Sequence, residues 1–132
     1  MNESLLSPIS VLVVEDNIDV ADSITRFFRV GAGFYVRTAY DGLTAVRMAV
    51  DDPPVAVVCD ISLPKQDGLK VAEQIIARLD WKPLLIAVTA YGGVYPEESA
   101  RAAGFDHYLV KPADPFAIEQ LIRNHAQKSP SE

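Results

Sequence analysis

The chain has 132 residues, the length of one ordinary domain, and its 49% hydrophobic and 23% charged residues are typical of a folded protein rather than a disordered one. Its net charge of -6 excludes the basic footprint of a nucleic-acid-binding protein. With apolar runs far shorter than the roughly 20 residues of a membrane span, and no basic signal-peptide region, we expect a cytoplasmic protein without membrane insertion.

Five short runs rich in β-branched residues are predicted strands. In chain order they cover residues 9–14, 34–38, 55–59, 84–88 and 108–110. The first and fourth runs are apolar at successive positions, as expected for strands that are covered on both faces in a parallel sheet. The second run mixes apolar and polar residues, which predicts an edge strand beside the first one.

Segments with helical periodicity follow each predicted strand. Their predicted inward faces are Val20, Ile24, Phe27 and Phe28; Leu43, Val46 and Val50; Leu69, Ala72, Ile75, Ile76 and Leu79; and Ile118, Leu121 and Ile122. The last of these helices starts at Asp114-Pro115, a cap residue followed by proline at the first helical position. Between the third and last helices, residues 96–103 predict a short helix whose apolar face is only alanine and which stops before Gly104.

The alternation of strand and helix, repeated five times with short connections, predicts one α/β domain over residues 9–127. An N-terminal extension over 1–8 and a polar tail over 128–132 flank it. Right-handed crossovers then place helices on both faces of a doubly wound parallel sheet. Sheets of this kind carry their sites beyond the carboxyl ends of the strands.

Polar residues stand where four of the apolar runs end. They are Glu15 and Asp16, Asp60, Thr89 and Lys111. Three acids brought together repel one another, so that either the pKa of one is raised or a cation is bound, and oxygen ligands favour Mg²⁺. Bound Mg²⁺ would make Asp60 a competent nucleophile toward a phosphoryl group, while Lys111 and Thr89 would contact the phosphoryl oxygens.

Four motifs resemble the response-regulator receiver family, in order and at family spacing. They are VLVVEDN at 11–17, DISLPKQDG at 60–68, VTA at 88–90 and YLVKP at 108–112. Each motif is weak alone, but four at the ends of consecutive core strands are highly specific. The resemblance implies a flavodoxin-like (βα)5 fold with strand order 2-1-3-4-5 and a phosphoacceptor role in a two-component, His-to-Asp phosphorelay.

The resemblance also implies a role for each site residue. The metal ligands are Glu15, Asp16, Asp60 and the backbone carbonyl of Ser62; the phosphoacceptor is Asp60; the phosphate contact is Lys111, in a cis peptide with Pro112; and the switch pair is Thr89 and Tyr108. A sensor histidine kinase or a histidine phosphotransfer protein would donate the phosphoryl group. A downstream protein effector would bind the face of the fourth helix, fifth strand and fifth helix.

The segment that follows Thr89 departs from the family pattern. Tyr91 begins an unusual Tyr-Gly-Gly-Val-Tyr-Pro run, so the sequence does not define the output surface. Ser62 and Tyr91 occupy variable positions that look like tuners of phosphoryl lifetime in the family. We hypothesise that Tyr91 shields the acyl phosphate from water.

Each site residue has an ordinary structural interpretation in isolation. Glu15 and Asp16 would suit a helix N-terminus, and Asp60 would suit a turn. Only their joint placement with Thr89 and Lys111 indicates function.

Two other functions compete with the phosphorylation switch. A receiver-shaped adaptor that works without phosphorylation is the alternative. An aspartyl-phosphate phosphatase would need a second aspartate at the position of Ser62, so we expect no turnover of external substrates. The single cysteine, Cys59, lies in an apolar run and is predicted to be a buried, inert thiol.

Overall fold

The structure is a computed structural model that describes residues 8–62, 67–90 and 96–127. The strands are β1 Ser10–Val14, β2 Tyr35–Ala39, β3 Ala56–Asp60, β4 Leu84–Thr89 and β5 His107–Val110. The helices are α1 Ile18–Arg26, α2 Gly42–Asp51, α3 Gly68–Arg78, α4 Glu97–Ala103 and α5 Pro115–Gln127. The predicted extension and tail fall largely on residues 1–7 and 128–132, which lie outside the described residues, so these two boundaries stay predictions.

The five strands form one parallel sheet in the order β2-β1-β3-β4-β5. This confirms the predicted strand order and the doubly wound α/β class. β2 lies at an edge beside β1, as its mixed composition predicts. The central strands β3 and β4 are buried at every position, which explains why their sequences are apolar on successive residues.

Two hydrophobic cores lie on the two faces of the sheet. Successive side chains of a strand point to opposite faces, and accordingly Leu12 and Val14 belong to one core while Val11 and Val13 belong to the other. Buried residues of α2, α3 and α4 complete the first core. Ile118 and Ile122 of α5 cover the second, together with partly buried residues of α1.

Polar caps start four of the helices and so fix the loops that leave the sheet. The side chains of Asn17, Asp41, Asp67 and Asp114 each accept a backbone hydrogen bond from the following turn, at 2.8–3.1 Å. The short helix α4 ends at Gly104, whose φ of 117° is a left-handed conformation that favours glycine. The cap before Pro115 and the stop at Gly104 were both predicted.

Two local features differ from the sequence interpretation. Helix α1 continues into a π-helical turn over Phe27–Gly31, which hydrophobic periodicity does not predict. Leu43 was predicted on the inner face of α2, but it is 67% exposed, so that prediction is wrong. The helix instead packs its small residues Ala45 and Ala49 against the sheet, which leaves Leu43 on the outside.

Among the residues that the structure describes, no helix combines the length and the apolar character that crossing a bilayer requires.

Candidate functional site

The sheet brings the ends of its strands to one edge. Val14 pairs with Cys59 in the register of β1 and β3. The residues that come next, Glu15 and Asp60, therefore lie side by side at this edge. The backbone N–H of Glu15 also donates to Ala39 of β2, at 3.0 Å. On the other side, the N–H of Lys111 donates to the carbonyl of Thr89 at 2.7 Å, which ties the end of β5 to β4.

Three carboxylates meet at this edge. One oxygen each from Glu15, Asp16 and Asp60 lies within 4.8 Å of the other two. Glu15 and Asp60 are 4% and 8% exposed, whereas Asp16 is exposed. Burial is the largest cause of a raised pKa at Glu15, and the negative charge of Asp60 adds to it, against the hydrogen bonds from Lys111 and Asn17.

Lys111 bridges two of the acids. Its Nζ donates to Glu15 Oε1 at 2.8 Å and to Asp60 Oδ2 at 3.1 Å. Burial alone would lower the pKa of the Lys111 ammonium, but these two hydrogen bonds and the charges of both carboxylates raise it above its ordinary value. One ammonium therefore faces three carboxylates, and the cluster keeps an excess of negative charge.

Ser62 lies beside Asp60 and contacts Thr89. The backbone N–H of Ser62 donates to Asp60 Oδ1 at 2.8 Å, and its hydroxyl lies 3.4 Å from Thr89 Oγ1. Thr89 is 1% exposed and is the last residue of β4, not the first residue after it. Asp60 likewise ends β3 from within the strand, so both predicted strand ends were one residue short.

Tyr108 lies on the same face of the sheet as Thr89. It pairs with Ala87, two positions before Thr89, and residues two apart on a strand point the same way. Its ring is half-buried and packs against the core under α2, α3 and α4. The predicted cis peptide between Lys111 and Pro112 is present.

Gly68 is the last residue of the motif at 60–68, and the sequence interpretation assigned it no role in the site. A Cβ at this position would lie 2.4 Å from the Cα of Ile61, so α3 starts in direct contact with the backbone that follows Asp60. Only glycine permits this approach. The sequence offers no signal for this contact beyond the place of Gly68 at the end of the motif at 60–68.

The donor set fits Mg²⁺. Hard carboxylate oxygens, a net negative charge and one exposed member that leaves room for water are the features that this cation prefers. An apolar groove of about 600 Å³ flanks the site and shares Lys111 with it. Its walls include Ile24 of α1, Phe27 of the π-helical turn and Ile118 of α5.

Residues 11–123 match the family described as response regulator receiver domain, and this match spans all of the residues above. The chain belongs to this family. Relatives of the receiver include response regulator MprA of Mycobacterium ulcerans, 37% identical over 114 residues, which cover 86% of this chain and 47% of that protein. MprA of Mycobacterium avium is 38% identical over 112 residues, 85% of this chain and 47% of that protein. The receiver thus spans about half the length of these curated relatives.

Solved structures show the same receiver fold. The receiver domain of sensor histidine kinase PA1611 from Pseudomonas aeruginosa is 27% identical, has a TM-score of 0.80 and covers 92% of this chain and 100% of that one. That domain has a magnesium ion coordinated in its active site cleft. A CheY-like receiver domain from Methylobacillus flagellatus is 25% identical, has a TM-score of 0.78 and covers 90% and 99% of the two chains.

Proposed function

We propose that this receiver domain accepts a phosphoryl group on Asp60 from a sensor histidine kinase or a histidine phosphotransfer protein in the cytoplasm. The observation that carries the proposal is the cluster of Glu15, Asp16 and Asp60 within 4.8 Å, with Lys111 bonded to two of its members. Membership of the receiver family supports a signalling role. It also favours a domain that is itself modified over an enzyme that turns over external substrates.

Glu15, Asp16 and Asp60, with the backbone carbonyl of Ser62, would hold Mg²⁺. When bound, Mg²⁺ supplies positive charge that reduces the repulsion between a carboxylate nucleophile and the phosphoryl oxygens. The carboxylate chemistry of the cluster supports this choice of cation, and so does the magnesium ion in the PA1611 receiver.

In the transfer, an oxygen of the Asp60 carboxylate forms a bond to phosphorus while the bond between phosphorus and the donor histidine nitrogen breaks. The bonding electron pair returns to the imidazole. A carboxylate nucleophile has no proton to lose, so the reaction needs no general base. Lys111 already contacts Asp60 and would move onto a phosphoryl oxygen, where its ammonium acts as a point charge. The groove beside Lys111 offers the donor protein an apolar surface next to the acceptor.

The new charge on Asp60 would act on the switch pair. Thr89 would turn its hydroxyl toward a phosphoryl oxygen, and Tyr108 would follow into the space that Thr89 leaves. Both side chains lie on the face of the sheet that α4 covers, which supports a downstream protein effector on the face of α4, β5 and α5. Val110 of β5 is exposed at this face and offers an apolar contact.

Incubation with acetyl phosphate and Mg²⁺, followed by intact mass measurement, tests the proposal. The chain should gain the mass of one phosphoryl group, and chelation of Mg²⁺ should abolish the gain. Asp60→Asn should gain nothing, whereas Asp80→Asn, an exposed aspartate beyond α3, should behave as the unsubstituted chain does. Absence of a gain, or a gain that persists in Asp60→Asn, contradicts the proposal. An unmodified chain that still binds its effector would favour the adaptor alternative.

A further inference from the structure

The hydroxyl of Thr89 is buried, and its polar contacts with described residues are long. Within the described part of the chain, its Oγ1 lies 3.4 Å from the Ser62 hydroxyl and 3.5 Å from the carbonyl of Ala90. Hydrogen bonds between a hydroxyl and an oxygen are typically about 2.7–2.8 Å long. Both contacts are therefore longer than typical; Thr89 donates in the contact with Ala90, while either hydroxyl can donate in the contact with Ser62.

Ser62 connects this hydroxyl to the acceptor carboxylate. Its backbone N–H is bonded to Asp60 Oδ1 at 2.8 Å, while its side chain reaches Thr89 across the site. Ser62 is thus held in place by Asp60, the residue whose modification Thr89 would sense.

We propose that the Ser62 side chain is a positioning residue that holds the Thr89 hydroxyl in its resting orientation, in competition with a phosphoryl group on Asp60. This inference rests on the proposed function for its consequence, although the resting contact exists without phosphorylation. The competition is one of position: a Thr89 hydroxyl turned toward a phosphoryl oxygen on Asp60 leaves the orientation in which it contacts Ser62, whichever hydroxyl donates in that contact. The phosphoryl oxygen is charged and forms the stronger hydrogen bond.

The competition predicts the direction in which a substitution at Ser62 changes the affinity for a phosphoryl mimic. Under this proposal, Ser62→Ala removes a contact of the resting state and leaves the backbone N–H and carbonyl in place. The phosphorylated arrangement then becomes easier to reach. Because a neutral hydrogen bond contributes little net free energy, the affinity for a phosphoryl mimic should rise by about two- to fivefold.

Titration of the protein with beryllofluoride in the presence of Mg²⁺, followed by NMR of the Thr89 amide, measures this affinity. Ser62→Ala should lower the apparent Kd, and Ser62→Thr, which keeps a hydroxyl, should restore it. In a Thr89→Val background, Ser62→Ala should have no effect, which a merely structural role of Ser62 would not produce. Thr38→Val is the matched control. It removes a hydroxyl of the edge strand β2 that lies 2.8 Å from the hydroxyl of Thr25 in α1, and it should leave the Kd unchanged.

A second readout needs no phosphoryl mimic. Three-bond coupling constants report the side-chain rotamer of Thr89 in the resting protein, which should be single in the unsubstituted chain and averaged in Ser62→Ala. An unchanged rotamer overturns the inference, and so does a raised Kd or an equal effect of Ser62→Ala in the Thr89→Val background. If the unsubstituted chain binds no beryllofluoride, the proposed function fails, and the rotamer measurement still decides whether Ser62 holds Thr89.

Discussion

Asp60→Asn should stabilise the metal-free fold, although it removes a hydrogen-bonded ion pair. The substitution replaces a carboxylate by a neutral amide of nearly the same shape. It removes the attraction between Asp60 and Lys111, but it also removes the repulsion of Asp60 by Glu15 and by Asp16. Lys111 keeps its bond to Glu15.

The distances decide which effect is larger. With an effective dielectric constant of about 20, charges 3.1 Å apart attract by about 5 kcal/mol, and charges at the 4.8 Å limit of the cluster repel by about 3.5 kcal/mol per pair. Asp60 takes part in two such repulsions, which together exceed its attraction to Lys111 by about 1–2 kcal/mol. The folded state should gain about that much when Asp60 is neutralised.

Urea denaturation in buffer with a chelator measures this difference. The free energy of unfolding of Asp60→Asn should exceed that of the unsubstituted chain by about 1–2 kcal/mol, while Asp80→Asn should stay within about 0.5 kcal/mol. Added Mg²⁺ should stabilise the unsubstituted chain more than Asp60→Asn, which has lost a ligand. A metal-free Asp60→Asn that is less stable than the unsubstituted chain would refute the reasoning, because the ion pair would then outweigh the repulsion.

Packing around the site gives two simpler tests. Gly68→Ala places a Cβ 2.4 Å from Ile61 Cα and should lower the free energy of unfolding, measured in urea, by roughly 1–3 kcal/mol. In the control Gly31→Ala the new Cβ has no contact under 3.6 Å, and the free energy of unfolding should change by about 0.5 kcal/mol or less. Equal effects of the two substitutions would contradict the close approach of Gly68 to Ile61. Burial raises the pKa of the Cys59 thiol, so iodoacetamide should alkylate it only after unfolding. Stability should be independent of this thiol below its unfolded pKa of about 8.5 and should fall above it.

The strands could be predicted because a strand that is buried on both faces of the sheet needs apolar residues at successive positions. Val11 to Val14 and Leu84 to Val88 are apolar without alternation, which few other environments require. The π-helical turn at Phe27–Gly31 leaves no such trace, since one extra residue in a helical turn barely changes the apolar spacing. The error at Leu43 has a similar cause: periodicity cannot tell which of two overlapping faces of α2 packs on the sheet, the one with Leu43 or the one with Ala45 and Ala49.

The gathering of the acids was predictable for a topological reason, because the carboxyl ends of neighbouring parallel strands meet at one edge. The contacts of Lys111 with Glu15 and Asp60 could not be predicted, since they depend on how far the lysine side chain reaches across the cluster. The close approach of Gly68 depends on the path of the loop after β3, which the sequence does not specify. Tyr91 lies outside the described residues, so its shielding of the acyl phosphate stays a prediction.

A crystal structure of the protein grown with Mg²⁺ and beryllofluoride tests the central claim most directly. The account predicts a magnesium ion bound by Glu15, Asp16 and Asp60, with beryllium attached to a carboxylate oxygen of Asp60 and Lys111 turned toward a fluoride. A magnesium ion bound elsewhere, or an unmodified Asp60 beside these acids, would contradict it.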